Sequence, residues 1–108
     1  MRNQLTDYTN FYFIGIGGIG MSALARYFKA NGKEVSGYDR TKSELTDALI
    51  KEGCHIHFED HGAKVKHHVS TPEKTLVIYT PAVSGSHKEL LYLKEEGYTI
   101  YKRAEALG

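Results

Sequence analysis

Apolar residues return along this chain in two alternating rhythms. Short runs of aromatic and β-branched residues alternate with stretches where apolar positions recur every three or four residues. The run at 10–14 reads as a strand buried on both faces. A helix is predicted over 18–30, where Met21, Leu24, Ala25 and Phe28 share one stripe. Asn31-Gly32 supplies its stop, and a second strand follows around Val35, over 33–38. Thr41-Lys-Ser-Glu44 fits a capping box for a helix carrying Leu45, Ala48 and Leu49 and ending at Gly53. A third strand is predicted over 55–58. Residues 59–74 are polar and weakly patterned, fitting one short helix and a loop. The fourth strand, over 75–80, is the clearest and is closed by Pro81. Ser86-His-Lys-Glu89 forms a second capping box, opening a helix with Leu90 and Leu93 that ends at Gly97; a fifth strand is predicted over 98–101.

Strands alternating with helices imply right-handed βαβ units, and hence an α/β, Rossmann-like, doubly wound parallel sheet. Five strands give the expected order 3-2-1-4-5, in one domain spanning 1–108. Ligands of such sheets bind beyond the strand C-termini where the order reverses. Here that crevice lies between strands 1 and 4, so the segment after strand 1 and the loop after strand 4 face one ligand.

The segment after strand 1 carries the chemistry. Gly15-Ile-Gly17-Gly18-Ile19-Gly20 fits G-x-G-x-x-G between an apolar strand and an amphipathic helix. Such a turn lets backbone approach an anion closely, and the helix's first-turn amides point at it. Asp39 lies nineteen residues after Gly20, at the end of strand 2, where an acidic residue accepts from a nucleotide hydroxyl or base. Arg40 offers a planar fork to phosphate; Thr41 is read first as a helix cap. No G-x-x-x-x-G-K-[ST] run occurs, so a P-loop for ATP is not expected.

Other classes receive little support. With 14 basic and 13 acidic residues, no charge argument points to nucleic acid or a membrane surface. Cys54 is the single cysteine and has no disulfide partner, the N-terminus lacks a signal-peptide apolar region, and no apolar run approaches a span; the expectation is a cytoplasmic protein. Five of the six histidines fall between 55 and 68. His55 and His57 share a strand face, a spacing that can chelate, but the group is read as scattered surface residues and no metal ligands are assigned. No nucleophile–base–acid set is visible, so no catalytic residue is assigned.

Three segments, Gly15-Ile-Gly-Gly-Ile-Gly-Met-Ser-Ala-Leu-Ala25, Val35-Ser-Gly-Tyr-Asp39 and Val77-Ile-Tyr-Thr-Pro-Ala-Val83, resemble the N-terminal domain of the Mur ligases. The G-x-G-G-x-G-M-S run is similar to the branch that adds L-alanine to UDP-N-acetylmuramate. The resemblance implies a UDP-binding domain followed by a central ATPase domain and a C-terminal domain outside this chain. ATP and magnesium would serve the central domain, and no cofactor is expected in this one. It assigns Gly15, Gly17, Gly18, Ile19, Gly20, Met21 and Ser22 to the diphosphate loop, and Asp39 to the uridine-facing position. Arg40 and Thr41 add polar contacts, and Thr80, Pro81, Ala82 and Val83 form the loop approaching the nucleotide. Arg103-Ala-Glu-Ala-Leu107 resembles the connector to the central domain. Two departures stand out: Tyr38 replaces a small residue, and Thr80-Pro81 replaces a Ser-Ser pair, removing one amide donor. Two other readings stay open, a muropeptide-recycling ligase of the same family and an NAD-binding regulatory module.

Overall fold

The structure, a computed structural model, describes residues 7–103. Five strands form one sheet: β1 (Asn10–Ile14), β2 (Glu34–Tyr38), β3 (His55–His57), β4 (Thr75–Tyr79) and β5 (Thr99–Lys102). All neighbours are parallel and the order is β3-β2-β1-β4-β5, as expected. The helices are α1 (Ile19–Ala30), α2 (Glu44–Lys51) and α3 (Lys88–Glu95), with a 3-10 helix at Gly62–His68. Strand 3 ends one residue before Phe58, and strand 5 runs one residue later than its sequence pattern suggested. Among the described residues, no helix is long and apolar enough to cross a membrane.

Alternation along the strands builds two cores. Phe11, Phe13, Val35, Leu76 and Ile78 point to one face, packing against Met21, Leu24, Ala25 and Phe28 of α1 and Leu49 of α2. Phe11 and Phe28 stack with ring centroids 3.9 Å apart. Tyr12, Ile14 and Val77 point to the other face, against Val65, Leu90 and Leu93. Burying one such large apolar side chain contributes roughly 1.5–3 kcal/mol. Gly37 in β2 leaves room between the layers: a Cβ there would sit 2.6 Å from the Phe13 carbonyl oxygen and 2.9 Å from Ile16 Cδ1.

Both expected capping boxes are corrected. The Thr41 amide donates instead to Asp39 Oδ2, so the chain turns there and α2 begins later. Ser43 is its cap, with reciprocal bonds between Ser43 and Thr46. At α3 the Ser86 hydroxyl pairs with Ser84 rather than with the helix. Asp60 caps α3 from a distance, accepting from the Lys88 amide at 2.7 Å and the Glu89 amide at 3.0 Å. Glu89 is thereby released from capping and lies wholly buried on the sheet.

Glu89 is the polar centre of the second core. Its Oε1 accepts the Tyr12 hydroxyl at 2.5 Å; its Oε2 accepts from His57 Nε2 at 2.7 Å and the His61 amide at 2.9 Å. Burial alone would raise the carboxyl, but the donors from His57, Tyr12 and the His61 amide outweigh it and hold it below the usual carboxylate range. Burial, then the adjacent carboxylate, pushes the Tyr12 phenol far up, so it remains a donor.

Two outcomes follow from this packing. Gly37→Ala is expected to cost about 1–3 kcal/mol, because the obstructing atom is backbone that cannot rotate away; urea unfolding measures it, and an unchanged midpoint would contradict the close approach. For Glu89, the unfolded carboxyl takes up a proton before the folded one as pH falls. Its stabilisation is therefore present above the usual carboxylate range and is lost on acidification through the lowered folded value. Glu89→Gln should lower stability near neutral pH and flatten its decline on acidification through and below the usual carboxylate range. Melts across that range decide it; a parallel decline in both proteins would count against the network.

Candidate functional site

The first site element is the turn between β1 and α1. The Gly15 and Ile16 amides both donate to the Tyr38 carbonyl, at 2.7 and 3.0 Å, stitching the turn to the end of β2. Gly15 has φ +94°, and a Cβ there would overlap the Thr80 methyl. Both facts require glycine. Gly17 sits against Thr46 and Asp39, and its amide donates to Asp39 Oδ1 at 3.1 Å.

At the start of α1 the cap is Gly18, with no side-chain cap and no acidic residue in the first turn. The first-turn amides have no intrahelical acceptor, and the dipole's positive end points outward with them. This terminus is arranged for an anion. Arg103, at the end of β5, adds a cation: its guanidinium lies 2.9 Å from the position of a Cβ built on Gly20.

A cleft of about 510 Å³ opens beside this turn at the strand C-termini. Gly15, Gly18, Asp39, Arg40, Thr41, Thr80, Ala82 and Val83 line it, together with Tyr38, Asp60, Ser84, Ser86, His87 and Lys88. Eight residues assigned from sequence thus converge on one cleft. The remaining six do not line it. Met21 is buried in the first core, and Ser22 is buried with its hydroxyl donating to the Ile19 carbonyl. Ile19 is 84% exposed beside the turn, and the Cβ positions of Gly17 and Gly20 face Asp39 and Arg103 respectively. Pro81 is exposed in a turn closed by the Val83 amide on the Thr80 carbonyl.

Asp39 has two structural tasks that sequence alone did not show. One oxygen takes the Gly17 amide and the other the Thr41 amide. Each carboxylate oxygen keeps further acceptor capacity for a ligand hydroxyl or N–H. Tyr38 forms a wall, its ring 4.6 Å from that of His87. His87 is held through Nδ1 on Asp60 Oδ2 at 3.1 Å, while its buried Nε2 has no hydrogen-bond partner. Burial, then the charges of Asp60 and Glu89, raises the Tyr38 phenol and keeps it neutral. Burial would raise Asp60, but the Lys88 and Gly62 amides, His87 and the Glu89 amide outweigh it and lower its pKa.

Asp60, His87 and Lys88 were missed because α3 was read as starting with its own cap. The available signal was topological: the start of α3 follows the loop after β4, at the same end of the sheet as the glycine turn. Of the connector 103–107, only Arg103 lies within the described residues.

Comparison with known proteins bears on the family and the fold. The model of the Mur ligase family, catalytic domain, matches residues 10–108. A UDP-N-acetylmuramate--L-alanine ligase of Flavobacterium johnsoniae is 59% identical over 105 residues, covering 97% of this chain and 23% of the relative. The Parabacteroides distasonis ligase of the same name is 55% identical with the same coverages. A solved UDP-N-acetylmuramate-alanine ligase from Thermotoga maritima superposes with a TM-score of 0.79 at 35% identity, over 91% of this chain and 21% of that one. A murein peptide ligase from Psychrobacter arcticus shares the fold, with a TM-score of 0.77 at 21% identity, over 92% of this chain and 20% of that one. The chain thus spans less than a quarter of the length of these curated relatives. On the match across residues 10–108 and these identities, the chain belongs to the Mur ligase family.

Proposed function

We propose that this chain binds the uridine diphosphate end of UDP-N-acetylmuramate, as the first domain of a cytoplasmic ATP-dependent ligase that adds L-alanine to that sugar in peptidoglycan synthesis. The observation that carries the reading is the uncapped α1 terminus opening, through the Gly15–Gly18 turn, beside a cleft that also holds Asp39 and the 80–83 loop. A diphosphate satisfies the first-turn amides and meets Arg103. Uridine then extends toward Asp39, with Tyr38 and His87 as the wall.

This division of labour suits the reaction. The domain holds the nucleotide handle while the lactyl carboxylate points away from the sheet. ATP activates that carboxylate as an acyl phosphate, and the amine of L-alanine displaces the phosphate. ATP and magnesium belong to the central domain in this reading, since this sequence has no P-loop. The identity of 55–59% to L-alanine ligases favours this activity over muropeptide recycling, for which the likeness extends only to the fold.

Calorimetric titration with UDP-N-acetylmuramate, UDP and NADH in parallel tests the reading. The UDP ligands should bind and NADH should bind more weakly; the reverse ranking would leave the fold intact and remove the cell-wall assignment. In the same titration Asp39→Ala should weaken UDP-N-acetylmuramate by about 10- to 150-fold, the equivalent of one charge-assisted bond. Asp39→Asn should lose less, because its amide oxygen still accepts from Gly17 or from the ligand.

The chain alone should hydrolyse no ATP above a buffer blank, as measured by phosphate release. Turnover that tracks the purified chain would show an ATP site that this account does not contain.

A further inference from the structure

The histidines read as scattered surface residues are gathered by the fold. His57 comes from β3, His61 from the turn after it, and His68 from the end of the 3-10 helix. All three are half-buried, and one donor nitrogen from each lies within 4.8 Å of the others. They lie outside the lining of the nucleotide cleft.

Hydrogen bonding fixes the His57 tautomer. The Tyr12 proton goes to Glu89 Oε1. The Tyr12 oxygen and Glu89 Oε2 then both face His57 Nε2 as acceptors, at 3.1 and 2.7 Å. Nε2 therefore carries a proton, and in the neutral ring Nδ1 is the nitrogen with the lone pair. A carboxylate behind an imidazole is the usual device for orienting a metal-bound histidine.

The other two residues are pinned through their backbones. The His61 amide donates to Glu89, and the His68 carbonyl accepts from Ser36 Oγ at 2.9 Å. His61 Nδ1 and His68 Nε2 are hydrogen-bonded to each other at 3.3 Å, so one of them carries a proton that a metal ion would displace. Two nitrogens bound tetrahedrally at about 2.0–2.1 Å from zinc are separated by about 3.3 Å. The rings are stacked, with His57 centred 4.2 Å from His61 and 4.5 Å from His68. With His57 held by Glu89 and Tyr12, bringing three lone pairs onto one point requires His61 and His68 to turn about χ2, a soft torsion in histidine.

We propose that His57, His61 and His68 bind a divalent transition metal of the imidazole-preferring class, zinc foremost, with Glu89 orienting His57 from behind. The ion would tie β3 to the 3-10 helix on the α3 face of the sheet. Three protein nitrogens leave a fourth position for water.

The test uses the untagged, chelator-stripped chain, titrated with Zn²⁺ by calorimetry and with Co²⁺ by visible absorption. One ion per chain should bind with Kd of about 1 μM or tighter, the Co²⁺ complex should show tetrahedral d–d bands, and zinc should raise Tm. His61→Ala and His68→Ala should each weaken binding by at least about 10- to 100-fold, the loss typical of even an orienting partner. His55→Ala and His67→Ala should leave it unchanged. No saturable binding at about 100 μM free zinc would overturn the proposal, as would binding that survives in the His61→Ala, His68→Ala double variant or is lost in His55→Ala. The Co²⁺ spectrum of the parent chain stands independently of whether any variant folds.

Discussion

The end of β2 holds the glycine turn in place, and the candidate site depends on that hold. The Tyr38 carbonyl takes two amides of the turn, and the next residue, Asp39, takes a third from Gly17. Without these bonds the segment after β1 would be a flexible glycine loop, with a large entropy to lose on meeting a ligand. With them, the first-turn amides of α1 are aimed before anything binds. Such pre-organisation lets binding free energy appear as affinity instead of being spent on ordering. Asp39 thus holds the turn through the same carboxylate that lines the cleft.

The second core shows the same economy. Glu89 could have closed the first turn of α3, but Asp60 closes it from another segment. The freed carboxylate joins Tyr12 on β1 to His57 on β3, and takes the amide of His61. A buried charge is tolerable only when its acceptor sites are filled, and here three donors fill them. Asp60 also pins His87 against Tyr38, so the wall of the cleft beside the glycine turn and the core beneath it are parts of one polar network.

The sheet was legible in the sequence because its cause is local. Runs such as Thr75-Leu-Val-Ile-Tyr79 suit a doubly buried strand, and the intervening stripes suit helices, so order and crevice followed from topology. The glycine turn was legible because its spacing sits between the right elements. The helix starts were not, since a cap depends on which acceptor reaches the amides first: Asp39 pre-empts Thr41, and Asp60, 28 residues before Lys88, pre-empts Ser86. Met21 and Ser22 were expected in the diphosphate loop, yet in space one fills the core and the other bonds its own helix. Arg103 and the histidine cluster required tertiary proximity that no local spacing encodes.

The most direct measurement of the central claim is a backbone amide chemical-shift map of the labelled chain on addition of UDP. The largest shifts are expected at Gly15–Ser22, with a second set at Asp39–Thr41 and at Thr80, Ala82 and Val83, all saturating together. Shifts concentrated instead around Asn10, Glu34 and His55, which line a separate hollow, with the glycine turn unmoved, would contradict it.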